Sequence, residues 1–208
     1  MADLIKVLIV DDHESMRNSL EQEFCTDNGF KVVGSIANAA DAELFCASVK
    51  PVLVITDVCT ENGASGLDAA ALIRQKHPAI KIIVTSGFDE ITYLPRAKEL
   101  GAHAFICKTQ SLSHYREIAK RVLDGETIFT EPKSIPLPMG EAPLTGRELE
   151  VLRLMCKNLT SEEIAKELFI SLGTVKYHKA NMLAKTGFKK AVELAFYVIS
   201  NGWINPNY

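Results

Sequence analysis

No apolar run in this chain approaches the ~20 residues that a membrane-spanning helix needs, so none of it is expected to cross a bilayer. The opening Met1-Ala2-Asp3-Leu4-Ile5-Lys6 lacks a basic segment followed by a long apolar core, so a secretory signal is not expected there. Cysteine is sparse and scattered. Cys25, Cys46, Cys59, Cys107 and Cys156 are odd in number and form no Cys-x-x-Cys pair, which argues against a disulfide framework and against zinc. They read as reduced thiols of a cytosolic protein. No glycine-rich loop follows the first strand-like run, so a phosphate-cradling nucleotide site is not expected. Internal repeats and low-complexity tracts are absent too.

The 208 residues suffice for two modest domains, and charge divides them. Residues 1–124 carry 13 Lys/Arg against 17 Asp/Glu, a net of −4; residues 125–143 carry 1 against 3, a net of −2. Residues 144–208 carry 9 against 6, a net of +3. Only the last part is suited to a polyanion.

Val52-Leu53-Val54-Ile55-Thr56-Asp57 runs apolar and β-branched residues straight into a carboxylate. Such a run reads as a strand buried on both faces of a parallel sheet, where ligands bind beyond the carboxyl ends of the strands. Three similar runs end in reactive groups: Lys6–Val10 in Asp11-Asp12, Lys81–Val84 in Thr85-Ser86, and Ala102–Cys107 in Lys108. Three carboxylates, a hydroxyl and an ammonium are therefore expected in one pocket.

Helical segments separate these strands. Met16, Leu20 and Phe24 recur every four residues, the spacing of one helix face, and Gly29 is expected to close that helix. A second strand covers Lys31–Ile36. Asn38 is placed to cap the next helix, with Leu44 and Phe45 facing inward and Pro51 ending it. Further helices are expected over about 66–76, up to Leu100-Gly101, and over about 111–123. Pro95 is tolerated only in a first turn, so with Thr92 as cap the fourth helix is expected to start late, after a loop over 87–91. Five β-α units imply a doubly wound five-stranded parallel sheet.

Pro132, Pro136 and Pro138 mark residues 125–143 as a stiff, extended linker. From Leu144 the pattern is all helix. Thr145-x-x-Glu148 and Thr160-x-x-Glu163 are capping boxes, Ser171 caps a third helix ending at Gly187, and a fourth spans Ala191 to Asn201. Four short helices, the middle two about three residues apart, have helix-turn-helix spacing. Gly173, Lys176, Tyr177 and Ala180 share one stripe of the third helix, while Val175, Met182 and Leu183 fit the core. Lys176 and Tyr177 suit base contacts; His178, Lys179, Lys189 and Lys190 suit phosphates.

In the acidic pocket, Asp11, Asp12 and Asp57 offer the hard oxygen ligands that Mg2+ prefers, and Lys108 is the natural cationic partner. A carboxylate beside Mg2+ can attack a phosphoryl group, with the Thr85 hydroxyl donating to a phosphoryl oxygen.

Val10-Asp11-Asp12-His13, Asp57, Thr85-Ser86 and Phe105-Ile106-Cys107-Lys108 resemble the receiver domain of two-component response regulators. Leu144-Thr145-x-Arg147-Glu148, Glu163-Ile164-Ala165 and Ile170-Ser171-x-x-Thr174-Val175-Lys176-x-His178 resemble the LuxR-type helix-turn-helix. Their order resembles the NarL/FixJ group. The resemblance implies a flavodoxin-like receiver over 1–124, a linker over 125–143 and a four-helix DNA-binding domain over 144–208. It implies Asp57 as phosphoacceptor, and Mg2+ on Asp11, Asp12, Asp57 and the Cys59 carbonyl. It also implies Thr85, Phe105 and Lys108 as switch and phosphate-contacting residues, with Phe105 lacking the hydroxyl of the tyrosine often found there. Lys176, Tyr177, His178, Lys179, Ala180, Lys189 and Lys190 would meet DNA. A histidine kinase partner, a phosphorylation-dependent homodimer on promoter half-sites, a cytoplasmic location and no enzymatic turnover beyond its own phosphotransfer and dephosphorylation complete the implication. Leu194, Val198 and Trp203 are expected to pair with a second copy.

The loop after Asp57, Val58 to Gly66, departs from the family in lacking proline and carrying one extra residue. Acidic neighbours there disfavour a Cys59 thiolate. Two rival readings are an interaction module with a vestigial pocket and an aspartate-nucleophile phosphohydrolase. The second typically carries Asp-x-Asp on its first strand, where this chain has Asp11-Asp12.

Overall fold

The computed structural model describes residues 4–27, 29–87, 93–129 and 143–206. They form two compact units, the first holding the sheet and the second the last four helices.

Strands β1 (Ile5–Val10), β2 (Phe30–Ile36), β3 (Leu53–Asp57), β4 (Lys81–Ser86) and β5 (Ala104–Cys107) make one parallel sheet in the order β2-β1-β3-β4-β5. Helices α1 (Glu14–Cys25), α2 (Ala42–Val49), α3 (Gly66–Lys76), α4 (Tyr93–Glu99) and α5 (Leu112–Leu123) alternate with them. All five residues of β3 are buried, as a central strand covered on both faces requires. Alternate side chains serve opposite faces. Val7, Ile9, Leu53, Ile55 and Ile83 join Leu20 and Phe24 of α1 and Tyr115 and Ile118 of α5 in one core. Helices α2 and α3 pack together away from that core. The chain leaves β1 outward to β2 and returns inward to β3, so the switch point lies between β1 and β3.

Three details differ from the periodicity. Leu44 is 70 % exposed and Phe45 37 % exposed; the residues that α2 buries fully are the small Ala42 and Cys46. Phe45 rests its ring edge on Gly34 of β2, Cδ1 3.6 Å from where a Cβ would stand, while Leu44 is left to solvent. Helix α1 ends four residues before Gly29, where Thr26 donates to the Glu23 carbonyl (2.7 Å) and Asp27 accepts from the Gly29 N–H (3.0 Å). Such local side-chain bonds compete with helix continuation. Asn38 does cap, accepting from the Ala40 N–H, but the cap opens a 3-10 turn (Ala39–Asp41) that leads into α2. Pro95 sits in the first turn of α4 as described from Tyr93; Thr92 and the expected loop lie mostly outside the described residues.

Most of the stretch read as linker also lies outside them. Its beginning is anchored. Gly125 takes φ +98°, a conformation glycine adopts at little cost, and Arg121 grips Glu126 through Nε (3.0 Å) and Nη2 (2.7 Å). Ile128 then pairs beside β5: its N–H donates to the His103 carbonyl (2.8 Å) and its carbonyl accepts from the Phe105 N–H (3.2 Å).

The second unit contains α6 (Gly146–Cys156), α7 (Ser161–Glu167), α8 (Leu172–Thr186) and α9 (Ala191–Ser200). Both capping boxes form, Ser171 caps α8 by accepting from the Thr174 N–H, and Gly187 ends α8 at φ +73°. Val151, Leu152, Ile164, Val175, Met182, Leu194 and Val198 form the core. Glu148 is 2 % exposed, and Lys185 donates to it at 2.8 Å. Burial pushes the Glu148 carboxyl up, but the bonds from Lys185 and Thr145 outweigh that and hold it below the usual glutamate range.

Candidate functional site

Because the sheet is parallel, the carboxyl ends of β1, β3, β4 and β5 share one edge. Val10 of β1 hands over to Asp11 and Asp12, Asp57 closes β3 in register with Thr85, and β5 leads through Cys107 to Lys108. Lys108 Nζ lies 2.7 Å from Asp11 Oδ2 and 2.9 Å from Asp57 Oδ2. Asp11 and Asp57 are 1 % and 4 % exposed, and Thr85 is equally buried. Asp12 is half-buried, and His13 Nδ1 stands 2.6 Å from its Oδ1. The five side chains expected in one pocket are therefore assembled by the ends of four neighbouring strands.

Burial raises the Asp57 carboxyl to about 6; the Lys108 ammonium pulls it down, and Asp11 and Asp12 push it up. Burial also lowers Lys108, but its ion pairs with Asp57 and Asp11 outweigh that and hold it above the ordinary lysine value. Ligand atoms of Asp11, Asp12, His13 and Asp57 all fall within 4.8 Å of one another. Two of these carboxylates are buried and mutually repelling, with one ammonium between them. A divalent cation would relieve that repulsion, and hard carboxylate oxygens suit Mg2+. This is an acidic cluster of the kind that binds Mg2+.

The loop after Asp57 makes a 3-10 turn over Glu61–Gly63, with Asn62 and Gly63 at φ +58° and +73°. Asparagine and glycine tolerate that region. The loop is pinned on both sides: Cys59 pairs with Ser65 as an antiparallel bridge, and Thr60 Oγ1 donates to the Ala64 carbonyl (2.8 Å) and accepts from the Ala39 N–H (2.9 Å). Gly66 then passes against β3, where a Cβ would stand 1.7 Å from the Asp57 carbonyl oxygen. Cys59 is buried, its Sγ 3.7 Å from the Tyr93 hydroxyl. Phe105 is half-buried on β5, and its N–H is the one bonded to Ile128.

One residue near the pocket escapes a reading by hydrophobic period. Arg17 of α1 donates from one guanidinium nitrogen to the Asp11 carbonyl (2.7 Å) and the Asp12 carbonyl (3.1 Å). The signal that finds it is an accounting of the backbone acceptors left over where a strand stops.

In the second unit, α7 and α8 are separated by Leu168–Ser171. Gly173, Lys176, Tyr177 and Ala180 are all exposed along one stripe of α8, while Val175 and Met182 are buried and Leu183 is half-buried. His178 is half-buried beside Tyr177, the ring centroids 5.7 Å apart. Lys179 does not stand free: its Nζ donates to Ser161 Oγ at the start of α7 (2.8 Å), and burial holds it below the usual lysine value. Lys189 and Lys190 are exposed just before α9. The pairing residues expected on α9 need correction. Leu194 and Val198 are fully buried in the core and Trp203 packs on it, 5.4 Å from the Tyr197 ring. The exposed apolar residues of α9 are Val192 (70 %) and Phe196 (72 %), four apart on its outer face.

Comparison with known proteins matches residues 7–120 to the response regulator receiver domain and residues 142–198 to the bacterial regulatory proteins of the luxR family. The response regulator protein VraR of Staphylococcus epidermidis is 30 % identical over 208 residues, covering 96 % of this chain and 99 % of that protein. Among solved structures, RcsB from Salmonella enterica serovar Typhimurium, bound to promoter P1flhDC with the phosphomimetic BeF3−, is 21 % identical with a TM-score of 0.66 over 95 % of this chain and 100 % of that one. A structure of two RcsB dimers bound to two parallel DNAs is similar at 21 % identity and a TM-score of 0.65, covering 95 % of this chain and 99 % of that chain.

Proposed function

This chain belongs to the response regulators that join a receiver domain to a LuxR-type DNA-binding domain, and from that premise we propose that Asp57 is the phosphoacceptor through which a partner histidine kinase controls DNA binding. The observation that carries the reading is the buried Asp57 carboxylate at the switch point, with Asp11, Asp12 and Lys108 around it. A carboxylate oxygen of Asp57 attacks phosphorus and the kinase histidine nitrogen leaves, giving an aspartyl phosphate. Mg2+ would be held by Asp11, Asp12, Asp57 and the Cys59 carbonyl, and when bound it would neutralise charge on the phosphoryl oxygens. Lys108 exchanges its bond to Asp57 for one to the phosphoryl group. The Thr85 hydroxyl donates to another phosphoryl oxygen, and Phe105 follows Thr85 along the neighbouring strand. The chain is a regulator acting in the cytoplasm, and its only chemistry is its own phosphorylation and dephosphorylation.

The receiver occupies residues 1–124, the linker 125–143 and the DNA-binding domain 144–208. Lys176 and Tyr177 enter the major groove with the small Ala180 beside them. His178, Lys179, Lys189 and Lys190 take phosphates. Val192 and Phe196 give α9 an outer apolar face on which a second copy pairs when the receiver is phosphorylated, setting two reading helices on two half-sites. RcsB, with the same fold, binds DNA as dimers, which supports this arrangement.

The test is intact mass after incubation with acetyl phosphate and Mg2+. Wild type gains one phosphoryl mass, chelation of Mg2+ abolishes the gain, and Asp57→Asn shows none. Undiminished labelling of Asp57→Asn would overturn the assignment, and no labelling of wild type would favour the vestigial-pocket reading.

A further inference from the structure

Where β1 stops, the Asp11 N–H still joins the sheet through the Ile36 carbonyl (3.0 Å), but the chain then turns away toward α1. Backbone acceptors at such a turn need donors. The His13 N–H is used on the Asp11 carboxylate (2.9 Å), and the His13 carbonyl is used by the N–H groups of Met16 and Arg17 (3.0 Å each). The Asp11 and Asp12 carbonyls are both taken by the half-buried Arg17 guanidinium. Arg17 thus closes the loop twice, with its backbone onto His13 and with its side chain onto the two acids.

Each peptide unit is a rigid plane, so a held carbonyl also holds the Cα atoms on either side of it. With the Asp11 N–H held by Ile36 and the next two carbonyls held by Arg17, the Cα–Cβ bonds of Asp11 and Asp12 are aimed, which sets where their carboxylates can reach. We propose that Arg17 is a positioning residue for divalent-cation binding: it holds both carbonyls and so keeps the two carboxylates converged with Asp57. The inference rests on the Mg2+ site read above.

Charge and geometry make opposite demands here, which gives a clean test. A guanidinium close to a cation site repels the cation, so on Coulomb's law alone its removal would tighten binding. On the positioning argument its removal loosens binding. Groups that orient metal ligands from outside typically govern about 10–100-fold in affinity. The experiment titrates Mn2+ into the full chain and reads free Mn2+ by electron paramagnetic resonance, for wild type, Arg17→Ala, Arg17→Lys and Asp12→Asn. Arg17→Ala is expected to bind about 10-fold more weakly or worse, and Arg17→Lys, which keeps the charge but not the fork, to fall between. A merely structural arginine would lower the urea midpoint and leave the Mn2+ affinity of the folded protein unmoved. Arg17→Ala binding Mn2+ as tightly as wild type, or more tightly, overturns the proposal. If Arg17→Ala fails to fold, wild-type affinity in Arg17→Lys overturns it instead. Asp12→Asn separates the two levels: if it too keeps wild-type affinity, the metal-site reading falls and takes this inference with it. If Asp12→Asn alone loses affinity, only the role of Arg17 falls.

Discussion

In the first unit the functional charges are buried at strand ends and already engaged: Asp11 and Asp57 share Lys108 at 2.7 and 2.9 Å. In the second unit Lys176 and Tyr177, the side chains proposed to meet DNA, are exposed, and the buried Glu148 with Lys185 holds the scaffold. The difference teaches how each can signal. A buried cluster responds to one added group, because low local polarity magnifies every interaction. An exposed cationic face is screened by salt and acts through the number and spacing of its contacts.

The contrast breaks most visibly if the buried pocket tolerates crowding. Gly66→Ala places a methyl 1.7 Å from the Asp57 carbonyl oxygen, and backbone must move to admit it. It should cost about 3 kcal/mol, the upper end for overpacking. Urea unfolding followed by circular dichroism should show the receiver transition shifted and that of the helical domain in place. Equal transitions would mean the β3–α3 junction is slack.

Glu148→Ala probes a buried charge of the second unit and should cost about 2 kcal/mol, from a lost capping box and an abandoned Lys185. The folded Glu148 carboxyl lies below the ordinary value of 4.5, so its contribution is fully present above that pH and is lost as pH falls through the folded value. Wild type and variant melts should therefore converge in acid. A difference that persists below that range would assign the loss to packing.

On the exposed face, Lys176→Ala should leave both melts unchanged and weaken DNA binding by about 1.5 kcal/mol per half-site, with relaxed preference at one base pair. Unchanged binding to operator and to scrambled DNA would show that α8 is not the reading helix. The smallest effect belongs to Lys179→Ala, because Ser161 already holds that ammonium. It should flatten the slope of log affinity against log salt by roughly 1 per subunit, equally for all sequences. No change in slope would place Lys179 with the scaffold pair, as an internal tie.

The two units were also unequally legible in the sequence. Buried strands announce themselves as short apolar runs, so Asp11, Asp57, Thr85 and Lys108 stood out as polar groups at their ends. The capping boxes at Thr145 and Thr160 were equally plain, since their bonds are local. Tertiary context hid the rest. Leu44 and Phe45 look alike by residue type, yet Phe45 rests its ring edge on Gly34 of β2 while Leu44 stays exposed, and the small Ala42 and Cys46 fill the buried face of α2. On α9, Leu194, Val198, Val192 and Phe196 are all apolar, and only packing against Val151 and Leu152 separates core from outer face. Arg17 was invisible because its partners are carbonyls, which every residue has.

The small side chains of α2 carry a consequence for chemical probing. Cys46 is buried, and burial pushes its thiol up to about 12, so it is inert to alkylation while α2 stays docked. Cys25 is exposed and would react at once. Cys59 and Cys156 are buried as well, so Cys46 is followed by itself, through the mass of its own peptide, and its slow modification is then a clock for the opening of one helix. Its rate, divided by that of an unfolded thiol, gives the fraction of time α2 spends lifted from β2.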